Sequence, residues 1–221
     1  MPAAPRPRWV VWAAVGALAC LTGFSVLTLA IYGHGPLLSV DLAVEHTFSS
    51  HRQHWLVRAF SAETQTASFF VAGPLLLATS AVLARVQRSW RPLLLGLAAV
   101  VLLAASVGTG KEVIGRSRVP FAANAFGDGG TSYPSGHTTT AVVVTGCLVL
   151  LLDPWLSRAS RRACLAGVVT YAVVTGFSRI YLRDHWFTDV LGGWFLGSAI
   201  VCLLAVAWSA VALQRRQATQ T

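Results

Sequence analysis

Charged side chains vanish from this chain for long stretches, and the stretches recur at intervals suited to one architecture. No Asp, Glu, Lys or Arg occurs between Arg8 and Asp41, and further uncharged runs cover 64–84, 92–110, 138–152, 163–178 and 190–214. Crossing a bilayer core takes about 20 apolar residues, so six spans are predicted, the first over 9–32. Between the first two spans, 33–63 carries Asp41-Leu-Ala-Val-Glu45 in an apolar spacing that predicts a helix lying on the membrane surface. Pro74, near the middle of the second span, predicts a kink. The third span is expected to end at Gly108-Thr109-Gly110, directly before Lys111, and a Gly/Ala-rich loop, 119–133, leads to the next. Pro134 and Ser135 read as the start of the fourth helix. Two runs are short: 16 residues at about 1.5 Å each cover about 24 Å of a roughly 30 Å core. Those helices are expected to carry His137 and Arg179 to headgroup depth. The fold class is all-α, a bundle of six transmembrane helices with an interfacial helix between the first two, in a single domain over 1–221 without internal repeats.

Composition agrees with a membrane protein: of 221 residues 55% are hydrophobic and 11% charged. A net charge of +9 invites a nucleic-acid partner, but the placement of the charge argues against one. Ten of the 17 basic residues (Arg6, Arg8, Arg85, Arg88, Arg91, Arg158, Arg161, Arg162, Arg215 and Arg216) fall at the termini or in two short connectors that six spans place on one side. On the other side, only Arg52 and Arg58 remain once the motif residues are set aside. The positive-inside rule then puts both termini in the cytoplasm and the motifs at the outer face. Trp9, Trp90, Trp155 and Trp208 are expected in an inner aromatic belt, and Tyr32, Trp55, Tyr181 and Trp186 in an outer one. Cys20, Cys147, Cys164 and Cys202 sit in apolar runs without CxxC spacing and read as small hydrophobes. The first run is longer than a signal-peptide core and lacks a small-x-small cleavage site, so it reads as a retained span.

Against this background three charged segments stand out: Lys111 with Arg118 seven residues on, Pro134-Ser135-Gly136-His137, and Ser178-Arg179-Ile-Tyr-Leu-Arg183-Asp184-His185-Trp-Phe-Thr-Asp189. On a helix starting near His185, His185 and Asp189 share a face one turn apart. The carboxylate can then hold one imidazole nitrogen and leave the other free to attack phosphorus. His137 is placed to protonate the leaving oxygen and afterwards activate water. Lys111, Arg118 and Arg179, with the backbone N–H groups of Ser135, Gly136 and His137, supply an anion site. Lys111 is the only lysine in the chain, which argues against a merely solvating role. Phosphate ester hydrolysis needs such convergence, since enzymes accelerate it by up to roughly 10²¹-fold.

The three segments resemble those of the type 2 phosphatidic acid phosphatase (PAP2) family, whose pattern is Lys-x6-Arg-Pro, Pro-Ser-Gly-His and Ser-Arg-x5-His-x3-Asp. The second and third match without deviation. The first matches at Lys111 and Arg118, but Val119 intervenes before Pro120. The resemblance covers 111–189 and implies a metal-independent lipid phosphatase with a phosphohistidine intermediate at His185, no cofactor, and sensitivity to vanadate. It implies substrates such as isoprenoid diphosphates, phosphatidic acid or phosphatidylglycerol phosphate. The short loops favour a lipid phosphate whose tail stays in the bilayer and enters sideways between helices.

Arg116 can substitute for Arg118 at the phosphate, and Arg183 is a second candidate there; Arg183 and Asp184 also read as a local ion pair. His46, His51 and His54 have a spacing that suggests a metal, but read better as solvated positions of a surface helix. Ser135 lacks a base to activate it, so N-capping and phosphate contact are expected of it rather than nucleophilic attack. A transporter using the same charges predicts broken helices and a repeat, which the sequence lacks. Phosphoryl transfer to an alcohol acceptor needs the same residues as hydrolysis, and a catalytically silent binder would not need all of them.

Overall fold

The computed structural model describes residues 7–33, 37–119 and 130–218, with side chains described between 9 and 209. Within them the chain forms eight α-helices: α1 (Pro7–Tyr32), α2 (Leu37–Ser49), α3 (His54–Thr66), α4 (Phe69–Val86), α5 (Arg91–Ile114), α6 (Gly136–Leu152), α7 (Arg158–Tyr181) and α8 (Phe187–Ala218), with a 3-10 turn at Asp153–Trp155. Six of these are long and apolar enough to span a bilayer: α1, α4, α5, α6 extended through its 3-10 turn, α7 and α8. Six was the number predicted from the uncharged runs.

Boundaries differ from the sequence pattern in informative ways. One surface helix was expected before the second span, and two form, α2 and α3, separated at 50–53. Glycines 108 and 110 do not end α5. The helix runs on to Ile114 and stops at Gly115, whose φ of 60° is the left-handed conformation glycine adopts without strain. Lys111 therefore lies in the last turn of α5, not beyond it. The seventh helix is not short: α7 has 24 residues, and only its uncharged middle is. Its ends carry Arg158 and Arg161 on one side and Arg179 on the other. The helix α4 continues across Pro74 from Phe69 to Val86.

The centre of the bundle is α6. In its most apolar window 61% of residues are buried, against 11% in α1, which sits at the periphery. Leu76, Leu95, Leu103, Val143, Cys147, Leu151, Leu196 and Ile200 share one core between α4, α5, α6 and α8. In a lipid solvent close approach matters more than hydrophobicity, and small residues make it. Gly193 and Gly197, spaced four apart on α8, do so here. A Cβ on Gly193 would stand 2.9 Å from Cβ of Thr138, and one on Gly197 2.8 Å from Cβ of Val142. These two glycines let α8 lie against the first turns of α6, which is where Ser135-Gly136-His137 sits.

Of the expected outer aromatic belt, Tyr32 and Trp55 are exposed, but Tyr181 and Trp186 are buried. The latter pair belongs to the third motif: the Tyr181 hydroxyl, at the end of α7, accepts from Gln53 N–H at 2.8 Å, and Trp186 Nε1–H donates to the Ser117 carbonyl at 3.0 Å.

Candidate active site

The two ends of the third motif come from different elements joined by a tight turn. Leaving α7, the chain folds back so that Asp184 N–H and His185 N–H both donate to the Arg179 carbonyl, at 3.0 and 3.3 Å. Arg183 takes a positive φ of 63° in that turn. The turn delivers His185 to the start of α8, four residues before Asp189. His185 Nδ1 lies 3.4 Å from Asp189 Oδ2. An ionised carboxylate only accepts, so Nδ1 carries the proton and Nε2 is left with its lone pair. The contact is long, as such bonds often are without substrate. Asp189 Oδ2 also accepts Trp186 N–H at 2.9 Å. Both His185 and Asp189 are buried. Burial, above all, pushes the His185 imidazole below its ordinary range; the hydrogen bond and charge of Asp189 act in the opposite direction.

His137 is in the first turn of α6, and the charges of Arg179, His185, Lys111 and Arg118 all act on it. Those four groups thus all lie within electrostatic reach of His137 on α6, although they come from α5, the segment after it, α7 and the turn before α8. Arg179 is nearly buried; one guanidinium nitrogen donates to Thr64 Oγ1 at 3.0 Å and another meets Asp184 Oδ2 at 2.7 Å. Arg118 reaches the Asp184 carbonyl at 3.4 Å, and its buried Nε has no hydrogen-bond partner among the described residues. Lys111 Nζ donates to the Thr131 carbonyl at 3.3 Å.

The second motif is anchored from three sides. Tyr133 stacks on Phe24 of α1 with ring centroids 5.7 Å apart and shares a 2.8 Å hydrogen bond with Thr28. Burial pushes its hydroxyl pKa up to about 12, so it stays a neutral hydrogen-bonding group. Ser135 N–H donates to the Asp189 carbonyl at 3.0 Å, tying α6 to α8. That N–H is consequently spent, contrary to the expectation that it faces the anion. Ser135 occupies the N-cap position, but its buried hydroxyl pairs with Thr138 Oγ1 at 2.9 Å rather than capping the backbone. The first-turn N–H groups of Gly136 and His137 need no intrahelical partner and keep the anion-facing role open.

Two arginines considered for the phosphate are committed elsewhere. Arg183 pairs with Glu45 Oε1 of α2 at 2.5 Å. Arg116 bridges two carboxylates, Asp189 Oδ1 and Asp41 Oδ2, each at 2.5 Å, and also donates to Thr188 Oγ1 at 2.7 Å. Asp41 is fully buried and additionally accepts Thr188 N–H at 2.9 Å and Thr188 Oγ1–H at 2.7 Å. Asp41 and Glu45 were expected on a helix lying on the membrane surface; their spacing of four on an otherwise apolar helix was the available signal that both point one way. Pro120 lies outside the described residues; Val119 itself is buried. Among the described residues no three His, Cys, Asp or Glu side chains converge as metal ligands, and His51 Nδ1 instead meets the Thr47 carbonyl at 2.9 Å.

The comparisons with known proteins follow the same lines. The family model of the PAP2 superfamily matches residues 89–212. Phosphatidylglycerophosphatase B of Bacillus subtilis is 32% identical over 192 residues, covering 82% of this chain and 89% of that protein. Undecaprenyl-diphosphatase of Sulfolobus acidocaldarius is 41% identical over a shorter stretch, 31% of this chain and 30% of that one. Lipid A 1-phosphatase of Porphyromonas gingivalis is 35% identical over 50% of this chain and 23% of its own. Among solved structures, the transmembrane PAP2 type phosphatidylglycerolphosphate phosphatase from Bacillus subtilis superposes with a TM-score of 0.76 at 29% identity, over 85% of this chain and 93% of that one.

Proposed function

The chain belongs to the PAP2 superfamily of membrane lipid phosphatases, and from that premise we propose that it hydrolyses a lipid phosphomonoester, phosphatidylglycerol phosphate foremost, through a phosphohistidine at His185. It is an integral, multi-pass membrane protein and a phosphoric ester hydrolase. The observation that carries the finer reading is the juxtaposition of a buried His185–Asp189 pair with His137, Arg179, Arg118 and Lys111. The substrate is ranked by the relative matched along most of both chains, which is named for that phosphatidylglycerol ester.

In this mechanism Arg179, Arg118, Lys111 and the N–H groups of Gly136 and His137 hold the phosphoryl oxygens. His185 Nε2 attacks phosphorus, forming a P–N bond as the ester P–O bond breaks. Asp189 stabilises the cationic phosphoimidazole through Nδ1–H. His137 gives its proton to the leaving alkoxide, then takes one from the water that attacks phosphorus. Cleavage of the P–N bond returns neutral His185 and releases inorganic phosphate. No metal or cofactor has a part in these steps.

Orientation follows from charge: the termini and the connectors bearing Arg85, Arg88, Arg158, Arg161 and Arg162 face the cytoplasm, and the site opens at the outer face.

The test is phosphate release by purified protein in detergent with chelator present, from phosphatidylglycerol phosphate, phosphatidic acid and undecaprenyl diphosphate. Release from phosphatidylglycerol phosphate, abolished in His185→Ala, is expected. Full activity in that variant, or strict dependence on an added divalent metal, overturns the mechanism. Adding alcohol acceptors and finding phosphate transferred instead of released would replace hydrolysis by transfer.

A further inference from the structure

Asp189 has no oxygen to spare. Its Oδ2 serves His185 and Trp186 N–H, and its Oδ1 is taken by Arg116 at 2.5 Å. A carboxylate fully paired with a guanidinium is a poor partner for an imidazole that must become cationic, because the arginine cancels the charge the histidine needs. The same guanidinium, however, reaches a second buried carboxylate, Asp41 of α2, at 2.5 Å. One partly buried cation is thereby shared between two fully buried anions, so the three groups together keep one net negative charge. Both ends are fixed: Asp41 by Thr188 N–H and Oγ1–H, and the guanidinium by the Trp186 ring, 5.6 Å below it.

We infer that Asp41 and Arg116 are positioning residues of the proposed reaction, Arg116 orienting Asp189 and Asp41 drawing enough of the guanidinium's charge away that Asp189 can support His185. This rests on the phosphatase reading above. It makes α2, a helix outside the six spans, part of the catalytic apparatus, and it assigns Arg116 a task distinct from phosphate binding by Arg118. A purely mechanical staple between α2 and α8 would use the same contacts without affecting the basicity of His185.

Opposite substitutions separate the two. The groups acting on His185 are Asp189, Arg179 and Arg118, with His137 also in reach; none of these is changed in the variants. Asp41→Asn keeps an acceptor for Thr188 N–H but frees Arg116 to neutralise Asp189. The acid limb of kcat/KM is expected to move to lower pH and kcat to fall by up to about 10²-fold. Arg116→Met leaves both carboxylates unneutralised, and the limb is expected to move to higher pH. Thr188→Val weakens the same staple without touching a charge and should leave the limb in place. The substrate's own ionisation is common to all variants and cancels. Limbs that stay at the wild-type position in both charge variants overturn the inference. Should these not be recovered folded, Asp41→Glu and Arg116→Lys keep charge and shift geometry. Each should lower kcat at least about tenfold with KM within about twofold, and wild-type kcat in both overturns the inference as well. Wild-type protein that releases no phosphate from any of the three lipids would instead sink the phosphatase reading itself.

Discussion

Arg179 holds the carboxylate of Asp184 at 2.7 Å, five residues further along the chain and adjacent to His185. The arginine proposed to grip the substrate's phosphoryl group therefore already has an anionic partner, and the incoming phosphate must compete with it. Asp184 is partly exposed, at 19% of its side-chain surface, so it can swing away without leaving a buried charge behind. Asp184→Asn is expected to tighten vanadate binding and lower KM by roughly fivefold, equivalent to about 1 kcal/mol for a partly exposed pair. A rise in KM would show instead that Asp184 orients the guanidinium for the phosphate.

The burial of His185 fixes a direction for the pH dependence. Desolvation, the largest influence, holds the imidazole below its ordinary value of about 6.5. Only the neutral ring attacks, so lowering the pKa keeps the nucleophile competent further into acid. The part of the acid limb of kcat/KM that is lost in Asp189→Asn is expected below pH 6.5. Linkage runs the same way for stability. The unfolded chain takes up this proton near 6.5 and the folded one only at lower pH, so stability from this group is complete above about 6.5 and declines as pH falls toward the folded value. Thermal midpoints of wild type and His185→Ala between pH 8 and 5 check it: the gap between them should change with the wild type losing ground in acid.

Arg118 and Arg116 sit two residues apart and are expected to fail differently. Among the described residues Arg118 has an unpartnered buried Nε and a single 3.4 Å contact to a carbonyl, which leaves donors for a ligand. Losing a charge-assisted contact is worth about 1.5–3 kcal/mol, so Arg118→Met should weaken vanadate and substrate binding by about 10- to 150-fold. Arg116→Met should act chiefly on kcat and on the pH profile. Equal losses of vanadate affinity in the two would refute the division of labour.

How far these features were legible in the sequence depends on how local their causes are. The six spans were legible because a bilayer tolerates few charges over some 20 residues, a property of each segment by itself. His185 and Asp189 were legible because helical spacing joins them. Arg116 was not, since nothing near it in the chain announces that Asp41, 75 residues earlier, will arrive beside it. The same holds for Ser135 N–H: helix geometry offers it to an anion, and only the packing of α8 on α6 gives it to the Asp189 carbonyl instead. Tyr181 and Trp186 looked like belt residues because aromatic rings at a span's end usually meet headgroups; here the surface helices and motif segments cover them.

That packing of α8 on α6 also sets how much the site tolerates from behind. At Gly193 an added methyl would meet Cβ of Thr138 at 2.9 Å and the Ser135 carbonyl at 3.0 Å. Neither is the loose end of a flexible chain: one is a β-branched stem and the other backbone. The strain must be relieved by α8 moving away from α6, and the Ser135 N–H bond to the Asp189 carbonyl lies directly on that path. Gly193→Ala is therefore expected to destabilise the protein by about 1–3 kcal/mol and to lower kcat more than KM, because Asp189 and His185 ride on α8 and its leading turn while the cations do not. Gly167, where a methyl meets nothing within 4 Å, supplies the comparison: Gly167→Ala should leave both thermal midpoint and kcat close to wild type. Similar behaviour of the two alanine variants in a thermal scan and a phosphate-release assay would mean that the α6–α8 contact does not hold the site.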